Sequence, residues 1–319
     1  MSELKVNSIK GVAASSAAIT ISNTDGTCTA NLKSISGGQL AGSRNLVING
    51  NMKVHQRAQS VTGTNGGYVT ADRFFIRRHN GSVTFNSSVA NGVLTCDNPA
   101  GSTQFDIRHG IEWDDIYYGK TMTLSFNATA AVGGIDVTVE VMDGGVANTT
   151  ATVHAHLTGT TTDVVDLAVS PVSGTKYEVT VDMPADGDVS FTPDMVRLRI
   201  GNANDDASQS ITLSNVQFEF GSVATEFEFE PYGTTALKCA RYYHKVPGVS
   251  YGGMYDATRG MVNMEHVHGG MRANPTILYS AVRTTTGLDS TTLATKDRCQ
   301  IIMTSDRPYC TNLEFLAEL

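Results

Sequence analysis

Three carboxylates crowd an indole in Glu112-Trp113-Asp114-Asp115. Glycoside hydrolysis needs one carboxyl group to protonate the leaving oxygen and a second to act as base or nucleophile. Trp113 could seat the sugar between such a pair. The alternative is a solvated acidic turn with Trp113 packed at a strand end, and this reading is preferred, so no catalytic residue is assigned and no enzymatic activity is expected. Sugar contact without cleavage asks only for aromatic rings on which a sugar face can lie. Trp113, Tyr117, Tyr118, Tyr251 and Tyr255 are the candidate carbohydrate-binding residues. Aromatics are 7% of the chain, so most must fill cores, and exposure decides among these five.

Two His-x-His pairs, His154 with His156 and His266 with His268, set both imidazoles on one face of a strand. In a threefold fibre, one such pair beside the axis gives six nitrogen ligands for a transition metal, and His266 and His268 are the candidate ligands. The other reading is ordinary strand histidines. Asp205 and Asp206, with Asn202 and Asn204, could line a calcium loop, but their spacing matches no fixed ligand set. No cofactor is expected; a structural metal ion is the one alternative considered. His-Glu-x-x-His, phosphate-loop and dinucleotide patterns are all missing from the sequence.

The elements that must carry these groups follow from composition and periodicity. Charged residues are 17% of 319, and there are 31 glycines, which favours short strands and frequent turns. The fold class is all-β. A net charge of −8 argues against nucleic acid as a partner. The basic run Arg73, Arg77, Arg78 and His79 is read as a solvated strand face with structural arginine pairs. No stretch reaches the ~20 apolar residues of a membrane span. Cys28, Cys96, Cys239, Cys299 and Cys310 follow neither zinc nor disulfide spacing and are read as free thiols. Cys299 and Cys310 could pair only on adjacent strands of a hairpin. Assembly in a reducing cytoplasm fits this inventory.

Residues 1–44 hold too few apolar side chains to close a core and are read as an attachment arm of short strands, with Ile19 and Ile21 alternating ahead of the turn-like Asn23-Thr24-Asp25-Gly26. Residues 45–235 alternate with the period of strands that bury one face. Ile135, Val137, Val139 and Val141 oppose Asp136, Thr138 and Glu140, and Val196, Leu198 and Ile200 oppose Arg197 and Arg199. Turn pairs such as Asn91-Gly92 and Asp186-Gly187 separate the runs, predicting an antiparallel two-sheet jelly roll. Spacings of three and four predict a short helix over Thr234–Lys245, capped by a threonine, at the start of a β-rich unit spanning 236–319. Strands are expected there at Thr276–Ser280 and Cys299–Thr304.

Several of these runs carry a resemblance. Asn45-Leu46-Val47-Ile48-Asn49-Gly50-Asn51 with Val54, Gln56 and Arg57, Tyr68-Val69-Thr70-Ala71-Asp72-Arg73-Phe74, and Ile111-Glu112 with Gly119 to Phe126 are similar to bacteriophage tail-fibre and virion appendage proteins. Gln217 to Thr225 with Phe227-Glu228, Arg241-Tyr242-Tyr243, Met271 to Thr276 and Ala317-Glu318-Leu319 resemble the same family. The resemblance implies a jelly roll like that of carbohydrate-binding modules, in a structural virion protein that meets the host surface. The expected partners are copies of the chain, as a homotrimer, other virion proteins through residues 1–44, and a host-surface glycan or protein. A capsid-surface or neck decoration is the alternative, and a carbohydrate-processing virion enzyme a more distant one. The metal reading makes a sharp demand. On that reading elemental analysis of purified protein finds iron, nickel or zinc in fixed ratio to the chain; the preferred reading, ordinary strand histidines, gives none, and finding none would sink the metal hypothesis.

Overall fold

The computed structural model describes residues 8–9, 19–21, 28–30, 43–63, 66–78, 84–98, 105–130, 135–143, 156–157, 160–161, 167–169, 175–189, 192–202, 209–250, 260–265, 270–282, 293–295, 298–303 and 309–318. It is all-β, an antiparallel jelly-roll sandwich followed by one short helix and smaller sheets. One sandwich sheet has five strands, in the order Leu167–Val169, Ile135–Met142, Met195–Asn202, Phe105–Glu112 and Phe74–Arg78. The other has six, in the order Lys176–Asp182, Thr121–Ala130, Gln209–Phe220, Val93–Asn98, Phe85–Ala90 and Ser60–Gly63. Alternate residues of each meet in one core. Ile107, Val137, Val139, Leu198 and Ile200 come from the first sheet, and Leu94, Leu124, Phe126, Val179, Leu213 and Phe218 from the second. Phe126 and Tyr177 stack across neighbouring strands, with ring centroids 5.1 Å apart. The Asn91-Gly92 hairpin forms as predicted, both residues having positive φ (52° and 78°), the conformation that matches the twist of the flanking strands.

A bulge keeps the longest strand in register with the core. Ile211 and Leu213 point inward, the pairing slips between Ser214 and Gln217, and Val216 and Phe218 then take over the inward face. Asn215 absorbs the slip at φ 51°. The chain's own opening segment fastens here. Asn45 donates from Nδ2 to the Val216 carbonyl (3.0 Å) and accepts the Val47 amide at Oδ1 (2.9 Å). Gly50 accepts the Val216 amide at 2.9 Å, and a Cβ at Gly50 would lie 2.0 Å from the Val216 oxygen, so only glycine fits.

Three expectations need correction. The polar residues of the five-stranded sheet do not face water: Asp106, Arg108, Asp136, Thr138, Glu140 and Arg197 are buried. Alternation reveals only which residues face the sandwich core, and opposite charges paired across strands let the second face be covered as well. Arg108 pairs with Asp106, Arg197 with Glu140, and Arg199 spans both carboxylates at 3.4 and 3.6 Å. Arg73, expected on a solvated face, is 1% exposed. The helix runs over Tyr232–Ala240, not Thr234–Lys245; Pro231 precedes it and no threonine side chain caps it. Tyr242 is in a turn and Tyr243 opens the strand Tyr243–Ser250, because both rings are drawn down onto arginines of the sandwich.

Beyond the helix, Tyr243–Ser250, Tyr309–Leu316 and Thr276–Val282 form one sheet, and Gly260–Glu265, Arg298–Met303 and Leu293–Ala294 another. The strands holding Cys299 and Cys310 lie in different sheets, which removes the hairpin their pairing required. Cys96 and Cys239 are buried free thiols, and burial pushes Cys96 up to about 12 and Cys239 well above its ordinary value, leaving both inert as nucleophiles.

A single carboxylate closes the seam between the first of these sheets and the sandwich. Glu318 accepts Arg73 Nη1 at 2.6 Å and Arg57 Nη2 at 3.0 Å. The Arg73 guanidinium carbon lies 3.5 Å from the centre of the Tyr242 ring, and that of Arg57 3.5 Å from the centre of Tyr243. Arg73 Nη2 also donates to the Gly110 carbonyl at 2.6 Å. Asp72 accepts the Gln56 amide (3.0 Å) and Gln56 Nε2 (2.6 Å), and the same Nε2 donates to the Tyr243 carbonyl. Burial is the largest influence on Arg73 and draws its pKa down, but Glu318, Tyr68 and Tyr242 together outweigh it, so Arg73 stays charged. His109 lies beneath, against Phe74 and with no hydrogen-bond partner for either ring nitrogen beyond an approach to the Arg73 backbone. Burial and then Arg73 hold its pKa well below 6.5.

Glu318→Ala leaves two desolvated guanidinium groups and is expected to cost about 3–5 kcal/mol in urea unfolding. His109 gives a pH dependence of known sign. The unfolded chain takes up a proton near 6.5 that the folded chain refuses, so its contribution is complete above that pH and is lost as pH falls toward the depressed folded value. His244, lowered by burial, acts in the same direction. Unfolding measured from about pH 7 to about pH 5 should show stability falling, with His109→Phe removing up to about 1.4 kcal/mol of that fall per pH unit.

Candidate functional site

The strand Phe105–Glu112 emerges from the seam and delivers Trp113 to the rim of the sandwich. Glu112 is still held by the C-terminal part: Tyr242 donates its O–H at 2.8 Å, with Arg272 Nε at 3.5 Å and Arg241 Nη2 at 3.8 Å. Trp113 donates its backbone amide to Asp194. A single 3-10 turn, Asp115–Tyr117, follows because Asp114 is extended and accepts the Ile116 amide at 3.0 Å, capping the turn. Gly119, at φ 63°, then reverses the chain into Thr121–Ala130. Hydrogen bonds from Gly119 to Pro184 and from Met183 to Lys120 fix the neighbouring loop, in which Asp188 caps the Ala185 amide at 3.0 Å.

The rings gather around the indole. Tyr118 meets Trp113 edge-on at 4.9 Å and Tyr117 at 5.6 Å, while Tyr117 also leans on Phe220 at 5.8 Å. Tyr117 is 6% exposed and belongs to the sandwich core, so it supports the surface from beneath and offers no face of its own. Trp113 and Tyr118 are half-buried. Ile116 (56% exposed) and Phe220 (43%) extend the apolar surface, and sequence reasoning missed both. Phe220 sits on the inward parity set by the bulge, but two residues past Phe218 the sheet ends and the ring is left uncovered; only the bulge reveals this. Tyr251, Tyr255, His154, His266, His268 and Asn204 to Asp206 lie outside the described residues, as does the side chain of His156. Among the described residues no cluster of histidine, cysteine and carboxylate could hold a metal.

The three acids considered for sugar cleavage each have a structural partner: Glu112 in the seam, Asp114 on the turn, and Asp115 accepting Trp113 Nε1 at 3.2 Å. The field on the tyrosines is negative. Burial, then Asp114 and Glu112, raise the Tyr117 pKa; burial, then Asp186 and Asp115, raise that of Tyr118. A cleft of ≈ 230 Å³ lies away from the rim, where the sandwich opens and closes, lined in part by Asn45, Phe227, Glu228, Glu230 and Lys238. Its polar groups are consumed internally. Glu228 accepts the amides of Arg44 and Asn45, both at 2.7 Å, and Lys238 pairs with Glu230 at 2.5 Å. The rim around Trp113, where Ile116 and Phe220 extend the ring surface, is taken as the candidate surface.

No protein-family model and no curated protein matches the chain. Among solved structures, a CBM4 module aligns over 55% of this chain and 99% of its own, with 16% identity and a TM-score of 0.33. The enzymatically active domain of tailspike protein 4 of Bacteriophage CBA120 aligns over 56% of this chain, but this covers only 21% of that structure, with 13% identity and a TM-score of 0.32. A family 11 xylanase from Neocallimastix patriciarum aligns over 53%, with 11% identity and a TM-score of 0.28. At these values the similarity carries no argument about what the chain does, and its all-β sandwich is established by its own strand pairing.

Proposed function

We propose that the chain is a non-enzymatic structural protein of a bacteriophage virion, a tail-fibre or appendage subunit that contacts host-surface glycan. The observation carrying this reading is the rim at Trp113, where half-buried rings on a core-anchored turn adjoin the seam that locks the sandwich to the first C-terminal sheet. A surface that must hold a sugar needs rings fixed by packing and by hydrogen bonds behind them, and the Tyr117 and Asp115 contacts supply both. The motif residues that resemble phage fibres support the structural half of the proposal: Gln56, Arg57, Asp72, Arg73, Tyr242, Tyr243 and Glu318 meet in one joint. Such a joint suits a subunit that must transmit load without bending.

In this reading the chain is homotrimeric, residues 1–44 hold it on the particle, and the part beyond residue 235 lies distally. The short strands Ser8–Ile9, Ile19–Ile21 and Cys28–Ala30 pair with one another and with no strand of the sandwich among those described, as an arm requires. Light scattering on the full chain is expected to give three times the chain mass, with saturable binding to intact host cells. Trp113→Ala with Tyr118→Ala should weaken that binding by about tenfold or more, the scale of a lost aromatic anchor. A monomer that ignores cells would point instead to a decoration subunit ordered by its neighbours.

A further inference from the structure

The rim and the seam use the same residue types in opposite fields. Tyr68, Tyr242 and Tyr243 in the seam each feel arginine charge that opposes the rise of their pKa, whereas Tyr117 and Tyr118 on the rim feel only carboxylates. The geometry explains the difference. Residues 112–121 and 182–188 supply six carboxylates against one lysine, Lys120, and no arginine. Asp114, Asp115, Asp182, Asp186 and Asp188 are all exposed, as is Lys120. Glu112 is the sixth and is offset by Arg241 and Arg272, so the uncompensated charge lies on the Tyr118 side of the indole.

We propose that the Trp113–Tyr118 surface selects sugars bearing a protonated amine, de-N-acetylated hexosamine units being the simplest, over neutral or acidic glycans. This deepens the glycan-contact reading above and rests on it. An ammonium group is drawn to an aromatic face and to nearby carboxylates at once, and the rim offers both within one turn of chain. A uronate or sialate would meet like charge on the Tyr118 side, where Lys120 faces five exposed aspartates; Arg241 and Arg272 stand on the Glu112 side. A neutral sugar would find the rings but nothing to reward displacing the water held by the acids.

The test is calorimetric titration of the full chain with three probes of equal length: glucosamine, N-acetylglucosamine and galacturonate oligomers. At about 20 mM salt the glucosamine oligomer is expected to bind about tenfold more tightly than its N-acetylated counterpart, and the ratio should shrink toward one at about 0.5 M salt as the carboxylates are screened. Asp186→Asn, which changes an exposed side chain beside Tyr118, should narrow the low-salt ratio. Equal affinity for glucosamine and N-acetylglucosamine oligomers, or tighter binding of galacturonate, would overturn the selectivity while leaving glycan contact standing. If no probe binds and Trp113→Ala is indistinguishable from the parent in cell binding, glycan contact falls and the selectivity falls with it.

Discussion

The joint between the sandwich and the strand pair Tyr243–Ser250 and Tyr309–Leu316 depends on one carboxylate meeting two arginines out of water. A lone buried guanidinium carries a large solvation penalty, so Arg73 depends on Glu318 for its counter-charge, and Arg57 shares that carboxylate while also lying 3.9 Å from Asp72. The seam is thus cooperative by electrostatic necessity. Tyr242 and Tyr243 lie over the arginines, the Ala317 amide bonds to the Tyr242 carbonyl at 2.7 Å, and the same Tyr242 hydroxyl reaches Glu112. Position at the rim is inherited from that chain of contacts, because Trp113 directly follows Glu112 on the strand.

Arg73 shows what the arrangement demands of the backbone. It adopts φ 72°, a conformation that costs a branched or long residue energy and usually selects glycine. Three interactions hold it there: Glu318, the Gly110 carbonyl and the Tyr242 ring. The neighbouring Asp72 is fastened independently by Gln56, whose side chain also reaches the Tyr243 carbonyl. Strain at one residue is thereby balanced by contacts drawn from four separate stretches of sequence.

The sandwich was legible because alternation is a local signal: Ile135 to Val141 and Val196 to Ile200 announce their inward faces without reference to anything distant. What pairs with the outward residues is not local. Asp106, Glu140 and Arg199 are far apart in sequence and become partners only through strand order. The helix boundary failed for the same reason, since spacings of three and four continue through His244 while tertiary contacts to Arg57 and Arg73 claim Tyr242 and Tyr243. At the rim, sequence composition named Trp113 and Tyr118, missed Ile116 and Phe220, and could not see that Tyr117 faces inward. Exposure is a property of neighbours, and neighbours arrive with the fold.

The protein contains one tryptophan, and it stands at the junction of rim and seam. Emission excited beyond the tyrosine band therefore originates from this place alone, uncontaminated by the rest of the molecule. The indole N–H faces the Asp115 carboxylate and two phenol rings flank it, so hydration or charge brought to the surface alters the spectrum directly. Loosening of the Glu112 contacts one residue away reaches the same chromophore through the backbone. The molecule carries its own optical probe at the position where attachment and mechanical coupling meet.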